Sequence, residues 1–398
     1  MLGVSSFFKH KFSYSEVACF FIVVFCCYFM TSIMSISPIY GTTLIGLFML
    51  LIQVYYKRVS VISLFVYGTC ILYALWYLFD CLIISTELHA ALVSFFFALY
   101  YIFADLALCQ IDNKKKMQNI IKLYFLFFTI YYVIDLILRL KTAQTLVVPE
   151  WMQANPILKF YLLKFGGLTG DSNTLGTFCV ANFSVLFFSY LRRIIQKKYL
   201  ALSFVMAVIS CSRAAIVSCL AILLFWYFFY NAKLVIKIGM VFFGIFLSFF
   251  VFMLFLNDGS FLTKLDILNK TYKFLQECDV YTFLFGLGPN QSFKAIGCYA
   301  HNIWSIMLLE YGFVGLVLFL LMMIFISFDV GKYFFIVVIP YFLVSLSFKP
   351  IFLQFLFVAF ALIKHIDRIF PKISNEHQFI RNRHKMTTYF FNYNFKLI

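Results

Sequence analysis

The sequence predicts an all-α, polytopic integral membrane protein with about twelve transmembrane helices. Three observations carry this. Apolar runs of about 20 residues recur along nearly the whole of the 398-residue chain, the length a helix needs to cross a hydrocarbon core of about 30 Å. Only 12% of the residues are charged and 64% are hydrophobic, with a mean hydropathy of +0.95; a soluble domain carries about twice that charge. The lysines and arginines collect between and after the runs, in "KR" (57–58), "NKKK" (113–116), "RRIIQKK" (192–198) and the tail beyond Lys364.

Taken in order, the first span falls near 15–36. It is followed by "SISPIYG" rather than a small-residue cleavage site, so it reads as a retained helix. Spans near 39–56 and 59–79 flank the "KR" pair. Those near 88–109 and 117–138 flank "NKKK", and one near 174–191 ends at "RRIIQKK". The apolar stretch 199–230 would make a helix of about 48 Å if continuous, and Arg213 interrupts it in "VISCSRAAIVS". Leaving Arg213 aside, one span there puts 17 Lys and Arg on one face and 14 on the other; a hairpin at Arg213 puts 22 against 9. The positive-inside rule selects the hairpin, with spans near 199–211 and 213–230 and both termini cytoplasmic. Spans near 234–256, 302–328, 333–348 and 351–364 complete the chain. The whole is one transmembrane domain, with outer loops of about 139–173 and 257–301 and a cytoplasmic tail of about 365–398.

The net charge of +16 follows this topology, so its partners are membrane lipids rather than nucleic acid. Of the eleven cysteines, most lie within spans as small apolar residues. Cys278 and Cys298 fall in the second outer loop, where a disulfide is expected only in an oxidising compartment. No CxxC or His/Cys metal spacing occurs.

Both long loops and Arg213 converge on the outer face. An arginine in a span costs about 2.5–3.5 kcal/mol on insertion scales, so it faces a polar cavity or an ion partner such as Glu310. A guanidinium at the membrane edge also grips a diphosphate in a bidentate fork. His301 and Asn302 begin the span near 302–328. Asn302 reads either as a helix N-cap or as a site residue, and His301 as a base or phosphate donor or as an interfacial residue with no task. Glu310 lies about 12 Å further along that helix, where it needs a cation or a polar group. In the first loop Arg139, Lys141 and Lys164 are phosphate-binding candidates. The helix start "LTGDSNTLGTF" offers Asp171, Ser172 or Asn173 as a cap, and Gly166, Gly167 and Gly170 let the backbone approach a ligand. The second loop offers Lys264 and Asn290. Its "GLGPN" lacks the spacing and the preceding strand of a nucleotide-binding loop.

The assembly "SCSRAAIVS", then "FGLGPNQS…YAHNIWSIMLLEYGFVGLVLF", resembles the O-antigen polymerase/ligase superfamily of bacterial membrane glycosyltransferases. The matching positions are Ser212–Arg213, Gly286 with Gly288, His301–Asn302, and Glu310, Gly312 and Gly315. The resemblance implies a helical fold of the lipid-linked-donor glycosyltransferase type (GT-C-like) in the bacterial inner membrane, active at the periplasmic face without nucleotide sugar, cofactor or metal. The donor it implies is an oligosaccharide on undecaprenyl diphosphate; a chain-length regulator and a flippase are the expected protein partners. Arg213 would hold the diphosphate, and His301 would activate the acceptor or steady the leaving group. Asn302 would orient His301, and Asp171 to Asn173 would line the sugar cavity. Ser212, Arg139, Asn290 and Glu310 complete the expected site. Lys264 stands where the family often has arginine, a point charge in place of a fork. The "HNIWSIMLLEYGFVGL" form and compact second loop resemble the polymerases of lipopolysaccharide biosynthesis more than the ligases that use the lipid A core. A flippase or transporter of lipid-linked sugars is the alternative from another class.

Overall fold

The structure is a computed structural model. It describes residues 14–27, 38–55, 61–85, 88–145, 162–164, 166–226, 233, 235, 236, 238, 239, 242, 259–300, 302–346 and 354–371. Among these the regular structure is helical: α1 (Tyr14–Cys19), α2 (Pro38–Tyr55), α3 (Val61–Phe79), α4 (Leu88–Cys109), α5 (Lys114–Thr145), α6 (Ser172–Leu191), α7 (Lys197–Ile209), α8 (Arg213–Leu224), α9 (Gly259–Glu277), α10 (Val280–Phe285), α11 (Ser292–Ile296), α12 (Ile303–Glu310), α13 (Gly312–Val330), α14 (Phe335–Ser345) and α15 (Gln354–Ile369). Four stretches are long and apolar enough to cross a membrane: Ser63–Ile84, Lys114–Thr145, Ser172–Leu191 and Gly312–Ser345. Tyr40–Ile52, Phe95–Cys109 and Arg213–Leu224 are apolar but shorter. The chain is a helical membrane protein. Most of the expected span near 234–256 lies outside the described residues.

Two helices form the centre. α6 is buried from Ser172 to Ser189 apart from Asn173, and α15 is buried without a break from Gln354 to Ile363. From Phe355 to Ile363 α15 is apolar on every side, as a helix in the interior of a bundle is, and in α6 the buried Thr177, Ser184 and Ser189 hydroxyls donate to carbonyls four residues back. Phe178 of α6 meets Phe355 of α15 with ring centroids 4.1 Å apart.

The course of α6 to α8 follows from three contacts. Asn182 on α6 donates to the Ser203 hydroxyl on α7 at 2.8 Å, and Ser212, just past α7, meets Asn173 at the start of α6. So α7 runs back along α6. Trp226, just past α8, then lies against Phe187 near the end of α6 at 6.0 Å. The chain therefore reverses at Ser210–Ser212, and the hairpin selected by charge counting is the observed geometry.

The ends of the bundle differ. One collects cations: Arg192 pairs with Asp367 and lies over the rings of Phe188 and Tyr333 at 5.1 and 5.0 Å. Arg368 donates to the carbonyls of Leu108 and Cys109, in the last turn of α4 where intrahelical donors run out, and of Ile111 just past it. α6, α13 and α15 all finish at this end. The start of α6, the turn before α8 and the start of α12 occupy the other.

The expected continuous helix over 302–328 is corrected: it breaks between α12 and α13. Gly312 has φ +66°, in the left-handed region where a side chain is strained. The loop expected over 139–173 also begins later, because α5 continues to Thr145.

Candidate functional site

The turn before α8 is built by three residues. Ser210 ends α7 in helical conformation, Cys211 takes φ +60°, and Ser212 is extended. Ser212 is the N-cap: its Oγ accepts the Ala215 N–H at 3.4 Å and donates to Asn173 Oδ1 at 3.2 Å. This close approach depends on Gly176, where a Cβ would stand 2.6 Å from Ser212 Cβ and 2.9 Å from Ala215 Cβ. Arg213 therefore opens α8 as its first residue, and it is exposed. It sits at the rim of the bundle rather than deep in a span. Its charge adds to the positive end of the helix dipole, so the local field favours an anion.

Asn173 links this turn to the first loop. Its Nδ2 donates to Asp171 Oδ2 at 3.2 Å, and the Ser172 hydroxyl lies 3.5 Å from Asp171 Oδ1. Asp171 is the extended N-cap residue of α6, and its carboxylate makes no capping bond to the backbone. Asp171, Asn173 and Ser212 are thus linked by hydrogen bonds, and exposed Arg213 is the next residue of the chain.

Arg139 does not join it as an open ligand group. It is 1% exposed and forms an ion pair with Asp135 at 2.5 Å. It also donates to the carbonyls of Leu163 and Lys164 and to the Thr169 hydroxyl. Asp135 Oδ1 in turn accepts the Thr169 N–H at 3.0 Å. This brace ties the glycine loop down onto α5. A Cβ at Gly167 would stand 2.6 Å from Asp135 Oδ1, and one at Gly166 would stand 2.7 Å from Thr142 Oγ1. Those two glycines serve packing, and only Gly170 has open space around it.

At the start of α12, Asn302 is 4% exposed and its Oδ1 accepts the Ser305 N–H at 2.8 Å. It is an N-cap, the first of the two sequence readings. His301 lies outside the described residues.

Glu310 and the "GLGPN" segment form one lock. The N–H groups of Leu287 and Gly288 donate to the carbonyls of Leu309 and Glu310, each at 2.9 Å, supplying donors for the last carbonyls of α12. Glu310 is fully buried, and its Oε2 accepts the Asn290 N–H at 3.0 Å. Asn290 has φ +62°, which aims its N–H at the helix break. A Cβ at Gly286 would stand 2.5 Å from the Glu310 carbonyl oxygen and 2.6 Å from the Gly312 nitrogen. Two of the glycines that carried the resemblance, Gly286 and Gly312, are here because backbone meets backbone, whereas a Cβ at Gly315 would meet the side chains of Tyr311 and Trp76. Lys264 lies on α9, half-buried. Cys278 and Cys298 are both free thiols, so the disulfide considered from sequence is absent.

Sequence reasoning missed a second polar cluster, at the cationic end. Lys364 on α15 donates to Asp105 at 2.9 Å and to Asp329 at 2.6 Å. His365 Nε2 lies 2.6 Å from Asp105 Oδ1. The hydroxyls of Tyr67 and Tyr101 donate to Asp105 and Asp329, each at 2.7 Å. α3, α4, α13 and α15 are joined by it. The available signal was acids inside apolar runs, which need partners. Asp80 is another: it is fully buried, and among the described residues neither carboxylate oxygen has a hydrogen-bond partner. Among the described residues no three His, Cys, Asp or Glu side chains gather as a metal-ligating set. No protein-family model matches the chain, and neither does any curated protein or solved structure.

Proposed function

We propose that this chain is a bacterial inner-membrane glycosyltransferase of about twelve spans with a lipid-linked-donor (GT-C-like) fold and both termini cytoplasmic. It acts as an O-antigen polymerase, moving a growing glycan from undecaprenyl diphosphate to the next lipid-linked repeat unit at the periplasmic face. The observation that supports this most is the rim where exposed Arg213 adjoins Ser212, Asn173 and Asp171. In the reaction an acceptor hydroxyl oxygen attacks the anomeric carbon of the donor sugar. The bond from that carbon to the phosphate oxygen breaks, and undecaprenyl diphosphate leaves. Arg213 and the first N–H groups of α8 would take up the charge on the departing diphosphate. Asp171 and Asn173 would receive sugar hydroxyls, and His301 would accept the acceptor's proton.

The test is the lipopolysaccharide ladder of a strain lacking the gene. A single repeat unit on the core is expected. Bare core with polymer held on the carrier would point to a ligase, and an unchanged ladder would refute both. Restoring the gene with Arg213→Lys keeps the charge but loses the fork. Polymer yield is expected to fall at least tenfold at unchanged protein level, about the effect of losing 1.4 kcal/mol of transition-state stabilisation. A full ladder from that variant would remove Arg213 from the mechanism.

A further inference from the structure

α9 presents three different faces along its 19 residues. On the first, Ile267 and Thr271 are buried, and the Thr271 and Ser305 hydroxyls are hydrogen-bonded at 3.0 Å. On the second, Leu262, Leu265, Leu268 and Tyr272 recur at helical spacing and are 46%, 36%, 44% and 61% exposed. The third is polar and exposed, with Lys273 and the Asp266–Lys270 ion pair at 2.8 Å. A helix in water has no reason to hold four large apolar side chains along one side, next to a charged face. A helix lying at a membrane surface does.

We propose that α9 is an interfacial helix, with its Leu262–Leu265–Leu268–Tyr272 face set into the boundary between headgroups and acyl chains of the leaflet at this end of the bundle. Its depth is fixed by a separate observation. The Thr271–Ser305 bond holds α9 level with the first turn of α12, where Trp304 is 37% exposed and stacks on Phe342 at 5.6 Å. Tryptophan collects at headgroup level in membrane proteins. The partner is therefore the bilayer surface that already surrounds these spans. The lysines of the polar face point toward water and phosphate. α9 also opens the folded segment that leads through α10 and α11 to the Asn302 cap. Seating it in the membrane holds the start of α12 at the depth of lipid phosphates. This contact does not depend on the activity proposed above.

The experiment uses the full chain in phosphatidylethanolamine–phosphatidylglycerol vesicles. Nitroxides are carried on an introduced keto side chain at position 265, 268, 270 or 273, one at a time, leaving the native cysteines untouched. Labels at 265 and 268 are expected to collide several-fold more with oxygen, which concentrates in lipid, than with a water-soluble nickel chelate. Labels at 270 and 273 are expected to show the reverse. Nickel access at 265 and 268 equal to that at 270 would place the face in water and overturn the proposal. Protection of 265 and 268 from both reagents would mean that a second copy of the chain covers it, and would overturn it equally. With Leu265→Asp and Leu268→Asp together, a label at position 272 is expected to become nickel-accessible. No change there would also count against membrane seating.

Discussion

Gly312→Ala is expected to release the "GLGPN" segment from the break between α12 and α13. Two costs act together. Holding a non-glycine residue at φ +66° costs roughly 1–3 kcal/mol. The new Cβ would also run into the Leu284 carbonyl and stand 2.5 Å from the Gly286 nitrogen, and overpacking of that kind costs roughly 1–3 kcal/mol. Because both obstacles are backbone, no side-chain rotation relieves them. Gly297→Ala is the matched control: its φ is +69°, and a Cβ there would meet nothing within 4 Å, so only the backbone cost applies. Thermal unfolding in detergent should show Gly312→Ala well below Gly297→Ala. Equal midpoints would mean that the lock does not hold the break.

Lys364→Met is expected to be comparably damaging for a different reason. It leaves Asp105 and Asp329, 4% and 6% exposed at the side chain, without the ammonium group between them. Removing one partner of a buried ion pair costs about 3–5 kcal/mol, because the remaining charge keeps its desolvation penalty. Adding Asp329→Asn to Lys364→Met should recover part of the loss. Unfolding midpoints of the single and double variants check this, and an unchanged midpoint for Lys364→Met would show that the cluster does not brace the four helices.

Apolar runs made the helical membrane class legible, because span length is set by the bilayer and needs no long-range information. The hairpin at Arg213 was legible through charge asymmetry, and Asn302 through cap chemistry. The break at Gly312 was not, since "IWSIMLLEYGFVGL" stays apolar across it, and the donors that cap α12 come from Leu287 and Gly288. The Asp105–Lys364 and Asp105–His365 contacts span 259 and 260 residues, a separation that local pattern cannot reveal. Arg139 was illegible for a subtler reason. Asp135 and Arg139 stand four apart in an apolar run, the spacing of a helical ion pair, but α5 was expected to end at 138. Extending that helix by two turns turns a ligand candidate into a brace.

The measurement closest to the central claim is reconstitution of the purified chain in vesicles with an undecaprenyl-diphosphate-linked repeat unit as the sole sugar source. The expected product is a ladder of lipid-linked oligomers rising by whole repeat units, lost with Arg213→Lys. Recovery of only the starting unit, redistributed between the two leaflets, would contradict glycosyl transfer and make the protein a carrier of the same lipid.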